Sequence, residues 1–146
     1  MRLAGYVPRE LGHPSHRAPA KLPQRAQGKE VTYYPDLSPY RYTVADQPML
    51  NVGWLEPGAY FPRGPVPAQL VDALLKLGTR PRNKLRGFHF CEFCSRYRGT
   101  GEIHVVGASG IRYAAPMLII HYIFAHRYRP PKEFVEAVLS PVCAVA

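Results

Sequence analysis

The sequence has few cysteines, few acidic residues and no long hydrophobic run. Its three cysteines include one C-x-x-C pair, which does not make the disulfide framework of a small secreted scaffold. No run of 18 apolar residues is present, and residues 1–8 lack the apolar region of a secretory signal. The sequence therefore predicts a cytoplasmic protein with reduced thiols and no membrane contact.

Acidic residues are too few to balance the basic ones. Ten aspartates and glutamates stand against 19 lysines and arginines, which leaves a formal net charge of +9. A chain of this charge favours anionic partners. We therefore expect the partner to be nucleic acid or an acidic protein, while the sequence does not indicate an oligomeric state.

Proline and glycine are abundant, and they predict short elements joined by turns. The chain has 16 prolines and 12 glycines among 146 residues. Residues 1–30 contain four prolines and several basic residues without hydrophobic periodicity, so we expect a disordered basic arm there. Residues 31–146 are then predicted to form one domain, in which the aromatic residues of positions 31–62 mainly pack a core.

The hydrophobic pattern of the remaining chain predicts a small α+β fold. A short strand is expected at 50–55, and a helix at 67–77, with Pro67 at its first position and Gly78 as its C-terminal cap. Alternating residues around a glycine-containing turn predict a β-hairpin over 101–114. Two C-terminal helices follow, one opened by Pro116 and largely buried, the other at 131–139.

A cysteine knuckle and two later histidines suggest one tetrahedral zinc ion. Cys91 and Cys94 form the C-x-x-C, and His121 and His126 lie in the first C-terminal helix. His89 is an alternative fourth ligand, because it lies two residues before Cys91 and shares its side of an extended chain. Histidines five residues apart differ by about 140° around an ideal helix, so the last helical turn has to tighten or unwind if both are ligands.

The order of knuckle, hairpin and histidine-bearing helix is that of treble-clef-like zinc modules. In such modules the hairpin folds the helix back onto the knuckle. This analogy concerns topology alone. Four protein ligands would make the zinc structural, and the sequence names no catalytic residue.

Basic residues surround the knuckle on both sides. Seven lysines and arginines lie between residues 76 and 98, against one acidic residue, Glu92. This density predicts a surface that contacts phosphates, with Tyr97 as a residue that could stack on a base. The candidate nucleic-acid contacts are Arg80, Arg82, Lys84, Arg86, Arg96 and Arg98.

Two other functions are compatible with the sequence. The basic face could meet an acidic protein in an interaction module of the immunity or adaptor type. A zinc-dependent hydrolase acting on a phosphate ester is the second, with Glu102 or Glu92 as the local carboxylate. The metalloprotease, deaminase, P-loop and nucleophile-elbow motifs are all missing, so the sequence favours a binding module over an enzyme.

Several motifs together resemble those of a family of small uncharacterised bacterial proteins of the actinobacterial type. The motifs are TYYPDLSPY at 32–40, LNVGWL at 50–55, RGFHFCEFC at 86–94, GEI at 101–103, YAAPMLIIHYI at 113–123 and YRPPKEF at 128–134. The resemblance covers residues 31–139. It implies a domain boundary near residue 31 and a bacterial cytoplasmic setting, and it implies no catalytic residue.

Overall fold

A computed structural model describes residues 33–41, 45–84 and 87–140. The arm predicted for residues 1–30 lies outside these ranges. The elements in chain order are β1 (Leu50–Asn51), α1 (Ala68–Leu77), β2 (Phe88–Phe90), β3 (Arg98–Thr100), β4 (Glu102–Val106), β5 (Arg112–Pro116), α2 (Ile119–His126) and α3 (Lys132–Leu139). The prediction of a small α+β fold with a β-hairpin and two C-terminal helices is confirmed.

The strands form two small sheets. In the first, β5 lies between β1, to which it is parallel, and β4, to which it is antiparallel. The antiparallel pair β4–β5 is the predicted hairpin, with its turn at residues 107–110. The second sheet is the antiparallel pair β2–β3, whose connecting loop carries the cysteine knuckle.

Strand β1 is shorter than the predicted strand at 50–55. It ends at Asn51 because Gly53 has a φ of +77°, which takes the chain out of the extended conformation. Glycine is also needed there for space. A Cβ at residue 53 would lie 2.9 Å from Cγ1 of Ile119, so this turn brings the backbone directly against α2.

The main core lies between the three-stranded sheet and the helices. Leu70 and Leu74 of α1 and Phe134 and Val138 of α3 are buried, as their helical spacing predicts, and α1 packs against both α2 and α3. Both outer helices begin at the predicted prolines to within one residue. Gly78 caps α1 in a right-handed conformation, with its N–H bonded to the Leu74 carbonyl.

Helix α2 differs from its prediction in two ways. Pro116 remains in β5, where it pairs with Glu102, and the helix begins at Ile119. The helix was also expected to be largely buried, yet Phe124 is 83% exposed. The buried face of α2 is limited to Ile119, Tyr122 and Ile123.

The aromatic N-terminal segment forms a second, smaller core. Tyr40, Met49 and Trp54 are buried around Ala114, and the indole N–H of Trp54 donates to the Ala114 carbonyl at 3.0 Å. The prediction that these aromatic residues mainly pack a core is confirmed for them, whereas Tyr60 is 88% exposed. Within the ranges that the structure describes, no helix has the length and apolar character needed to cross a membrane.

Candidate metal centre and basic surface

Four side chains converge near the end of α2. Cys91 Sγ lies 3.3 Å from His126 Nε2, and Cys94 Sγ lies 3.4 Å from His121 Nε2. The two Nε2 atoms are 3.2 Å apart. All four donor atoms lie within 4.8 Å of one another, so this group could hold a metal ion.

The distances match the edges of a tetrahedron around a zinc-sized ion. Bond lengths of about 2.05 Å to nitrogen and about 2.3 Å to sulfur give edges of about 3.3 Å between nitrogens and about 3.6 Å between nitrogen and sulfur. The observed separations of 3.2 Å, 3.3 Å and 3.4 Å are close to these values. The chemistry of the donors also fits, because two thiols and two imidazoles are a common set in closed zinc sites.

Hydrogen bonding alone accounts poorly for this arrangement. The Nε2 atom of His126 faces both Cys91 Sγ and His121 Nε2. A ring nitrogen has either one hydrogen or one lone pair, so it cannot make a good hydrogen bond in two directions. The arrangement of the four donor atoms is compatible with a cation between them.

The knuckle is held by the hairpin that carries it. Cys91 directly follows β2, and its N–H donates to the Tyr97 carbonyl at 2.8 Å across the loop. The N–H of Ser95 donates back to the Cys91 carbonyl at 2.8 Å, and Ser95 adopts a φ of +54° to complete the turn. This tight loop places both thiols on the side that faces α2.

The end of α2 explains how histidines five residues apart can meet. The helix ends at His126, and Arg127 takes a left-handed conformation with a φ of +57°. The N–H groups of Arg127 and Tyr128 both donate to the Tyr122 carbonyl, the second at 3.1 Å, and these bonds close the end of the helix. His126 therefore lies at the last helical position, where the backbone departs from the regular helix.

Aromatic rings support the two imidazoles. Tyr97 stacks on His121 with ring centroids 4.2 Å apart, and Phe93 lies 5.1 Å from the His126 ring. Phe93 also meets Phe61 and Tyr122 edge to face. These contacts restrict the rings to the orientation in which both Nε2 atoms face the sulfurs.

Burial alters the pKa of two of the donors in the absence of a cation. It raises the pKa of the Cys91 thiol, so the thiol holds its proton more firmly than usual. Burial, aided by the neighbouring His126, lowers the pKa of His121 and favours the neutral imidazole. A metal ligand must be a thiolate or a neutral imidazole, so binding of a cation would require release of thiol protons.

His89 lies away from this group. It pairs with Gly99 in the β2–β3 hairpin, and its ring meets Trp54 edge to face at 5.8 Å. The side chain thus points towards the small aromatic core, and His126 occupies the fourth position among the converging donors. His104 also lies outside this group, and its Nε2 is 2.7 Å from Glu102 Oε2.

Basic residues that flank the knuckle in sequence lie at the surface of the domain, and we refer to them as the basic surface. Side chains of Arg80, Arg82, Lys84, Arg96 and Arg98 are all exposed. Among the residues that the structure describes, none of these five side chains takes part in an ion pair. Arg86 lies outside the described residues.

A buried polar cluster around Glu102 lies next to Arg82, one of the residues of the basic surface. The carboxylate of Glu102 accepts hydrogen bonds from Tyr40 Oη at 2.8 Å and Asn83 Nδ2 at 2.9 Å, besides its contact with His104. The backbones of Arg82 and Glu102 also exchange two hydrogen bonds of 2.8 Å. The sequence places Glu102 and His104 on one face of a strand, but it contains no signal that Tyr40 and Asn83 join them.

Comparison with known proteins gives one match. A family model described as "Domain of unknown function (DUF7919)" matches residues 32–139, which is most of the chain. No curated protein and no solved structure matches the chain.

Proposed function

The chain belongs to the DUF7919 family, and we propose that it is a zinc-stabilised module whose basic surface binds nucleic acid. The observation that carries the proposal is the exposure of five basic side chains that flank the two cysteines in sequence and form no ion pair within the part of the chain that the structure describes. Unpaired basic side chains can neutralise phosphates without first giving up a protein partner.

Zinc is the metal that the donor set favours. Thiolate ligands select soft cations, and a tetrahedral arrangement of two sulfurs and two nitrogens is typical of zinc. Four protein ligands would saturate the ion and leave no position for a water molecule. The proposed role of the zinc is therefore structural. Thiols that must stay reduced suit a reducing compartment, and we place the proposed function in the cytoplasm.

The hydrolase alternative loses its support from Glu102. Its carboxylate is 1% exposed and is occupied by Tyr40, Asn83 and His104. None of these residues belongs to the converging donors, and a saturated zinc could not activate a water molecule. An acidic protein remains the competing partner for the basic surface.

The proposal is tested by the salt dependence of nucleic-acid binding. Fluorescence anisotropy of a labelled oligonucleotide, measured from 50 to 300 mM salt, should show affinity falling steeply as several phosphate contacts are lost. Arg80→Ala together with Arg96→Ala should lower the slope by about 1.4–1.8, since each neutralised phosphate contributes about 0.7–0.9. Lys132→Ala, a change at an exposed lysine that forms an ion pair with Glu136, is the matched control.

Two results would count against nucleic acid as the partner. The first is the absence of binding at low salt. The second is an affinity that does not change with salt. A protein partner that stays bound through nuclease treatment would instead support the interaction module.

A further inference from the structure

An open apolar groove lies beside the metal centre, between α1, β3 and α2. It encloses about 750 Å³, within the range of roughly 300–1,000 Å³ seen for ligand sites. Leu75, Met117 and Phe124 supply much of its apolar lining, while Lys84 and Arg98 line it with positive charge. We call this surface the aromatic groove. An apolar groove with basic residues fits a ligand that has flat apolar parts and negative charge.

Two aromatic rings of the groove are much more exposed than packing requires. Phe124 is 83% exposed although it lies on a helix whose other face is buried. Tyr97 is 58% exposed and stacks on His121. Large exposed apolar side chains that cluster together typically mark a binding surface. Both rings could offer a flat surface to a ligand.

The outer face of the β2–β3 hairpin extends this pattern. Phe88 and Phe90 are 56% and 52% exposed, and they face Thr100 and Arg98 across the hairpin. The guanidinium of Arg98 lies 4.5 Å from the centre of the Phe88 ring. Because Arg98 also lines the aromatic groove, the two aromatic surfaces are continuous through this residue.

The described helices do not suit reading of a duplex. Each of α1 and α3 contains a single lysine, and α2 contains no lysine or arginine. A helix that enters the major groove usually carries several basic or amide side chains. Bases in a duplex also present only their edges, whereas an unpaired base exposes the faces that aromatic rings can stack on.

We infer that the aromatic groove and the adjoining hairpin face bind single-stranded nucleic acid. Bases would stack on Phe124 and Tyr97, and the phosphates between them would contact Arg98 and Lys84. This inference rests on the proposed function and adds the class of nucleic acid that the basic surface takes. Single-stranded DNA and single-stranded RNA share this chemistry.

The test compares four oligonucleotides of equal length at one salt concentration. They are a single-stranded DNA, an RNA of the same sequence, the matching DNA duplex and a DNA strand whose sites are all abasic. The two single strands should bind at least about tenfold more tightly than the duplex or the abasic strand, because each base that stacks on an aromatic ring adds to the affinity. The DNA and RNA arms show which source of unpaired bases is preferred.

A variant at Phe124, the more exposed of the two rings in the groove, makes the test specific. Phe124→Ala should weaken single-strand binding about tenfold and leave abasic-strand binding unchanged, while Phe124→Trp should retain the affinity. Tyr60→Ala, at a tyrosine that is 88% exposed, is the matched control and should change neither. Tyr97 is left intact because its ring rests on His121. Zinc content, measured for every variant, checks that the fold is retained.

The outcomes separate this inference from the proposed function. Equal affinity for all four oligonucleotides would overturn base stacking and leave phosphate binding in place. Preference for the duplex would overturn it too. Loss of binding to every oligonucleotide, with an acidic peptide bound instead, would overturn both.

Discussion

Loss of one metal ligand should destabilise the whole C-terminal part of the domain. Cys94→Ser is the most informative change, because Cys94 is only half-buried and serine has nearly the same shape. Its direct effect on packing is therefore small. The effect that remains is the loss of the cross-link between the knuckle and α2.

The size of this effect follows from the length of chain that a metal ion at this site would close into a loop. Cys94 and His121 are 27 positions apart, and Cys91 and His126 are 35 positions apart. In the chain-entropy treatment, a cross-link over such loops stabilises the fold by about 3.5–4 kcal/mol. A loss of this size is a large part of the roughly 5–15 kcal/mol that stabilises a domain, and it should lower Tm by about 15 °C or more.

The assay joins metal content with unfolding. Elemental analysis should give one zinc per chain for the unchanged protein and much less for Cys94→Ser, and urea unfolding followed by circular dichroism should show the lost stability. Cys143→Ser makes the same chemical change outside the described residues and should alter neither quantity. A zinc-free Cys94→Ser protein as stable as the unchanged one would refute the cross-link.

Two further changes test polar groups elsewhere in the domain, the buried Glu102 and the partly buried Asp36. Glu102→Gln should lower the free energy of unfolding by about 2 kcal/mol, because an NH2 group then replaces one of the two oxygens that accept hydrogen bonds in this buried cluster. The exposed Glu136→Gln is its control. A change below about 0.5 kcal/mol in urea unfolding, the range of surface substitutions, would contradict this expectation. Burial raises the pKa of Asp36 above its usual 3.8, although the Gly53 N–H and the Tyr128 hydroxyl donate to its carboxylate. The neutral form is thus favoured in the folded state, so the stability that this group contributes is present at low pH and is lost as the pH rises through the folded pKa. The free energy of unfolding, measured from pH 3 upwards, should therefore fall more with rising pH in the unchanged protein than in Asp36→Asn. Parallel pH curves for the two proteins would argue against this.

The four candidate metal donors could be predicted from the sequence, because the arrangement of such donors depends on local spacing. A C-x-x-C turn brings two thiols together whatever surrounds it, and the apolar pattern before His121 indicates a helix. The sequence could not decide between His89 and His126 as the fourth donor. That choice depends on β2 pairing with β3, which turns His89 towards Trp54, and three residues of β2 carry too little pattern to predict that pairing.

Contacts between distant parts of the chain account for most of what sequence reasoning missed. Tyr40 and Glu102 are 62 positions apart, and no sequence pattern near either residue predicts their contact. The short β1 depends on Gly53 meeting Ile119, a contact that exists only once α2 is folded. Exposure of Phe124 was likewise missed, because an apolar helix with one uncovered side has the same sequence pattern as a fully buried one.

The stack of Tyr97 on His121 would couple the proposed zinc thermodynamically to the aromatic groove. His121 belongs both to the group that could hold a metal ion and to the lining of that groove. A ligand that presses on Tyr97 therefore also holds His121 in its coordinating orientation, and the coupling is reciprocal. Zinc should tighten the binding of a ligand in the groove, and the bound ligand should slow the escape of zinc to a chelator. The occupancy of the groove would thereby report the supply of metal and the redox state of the thiols.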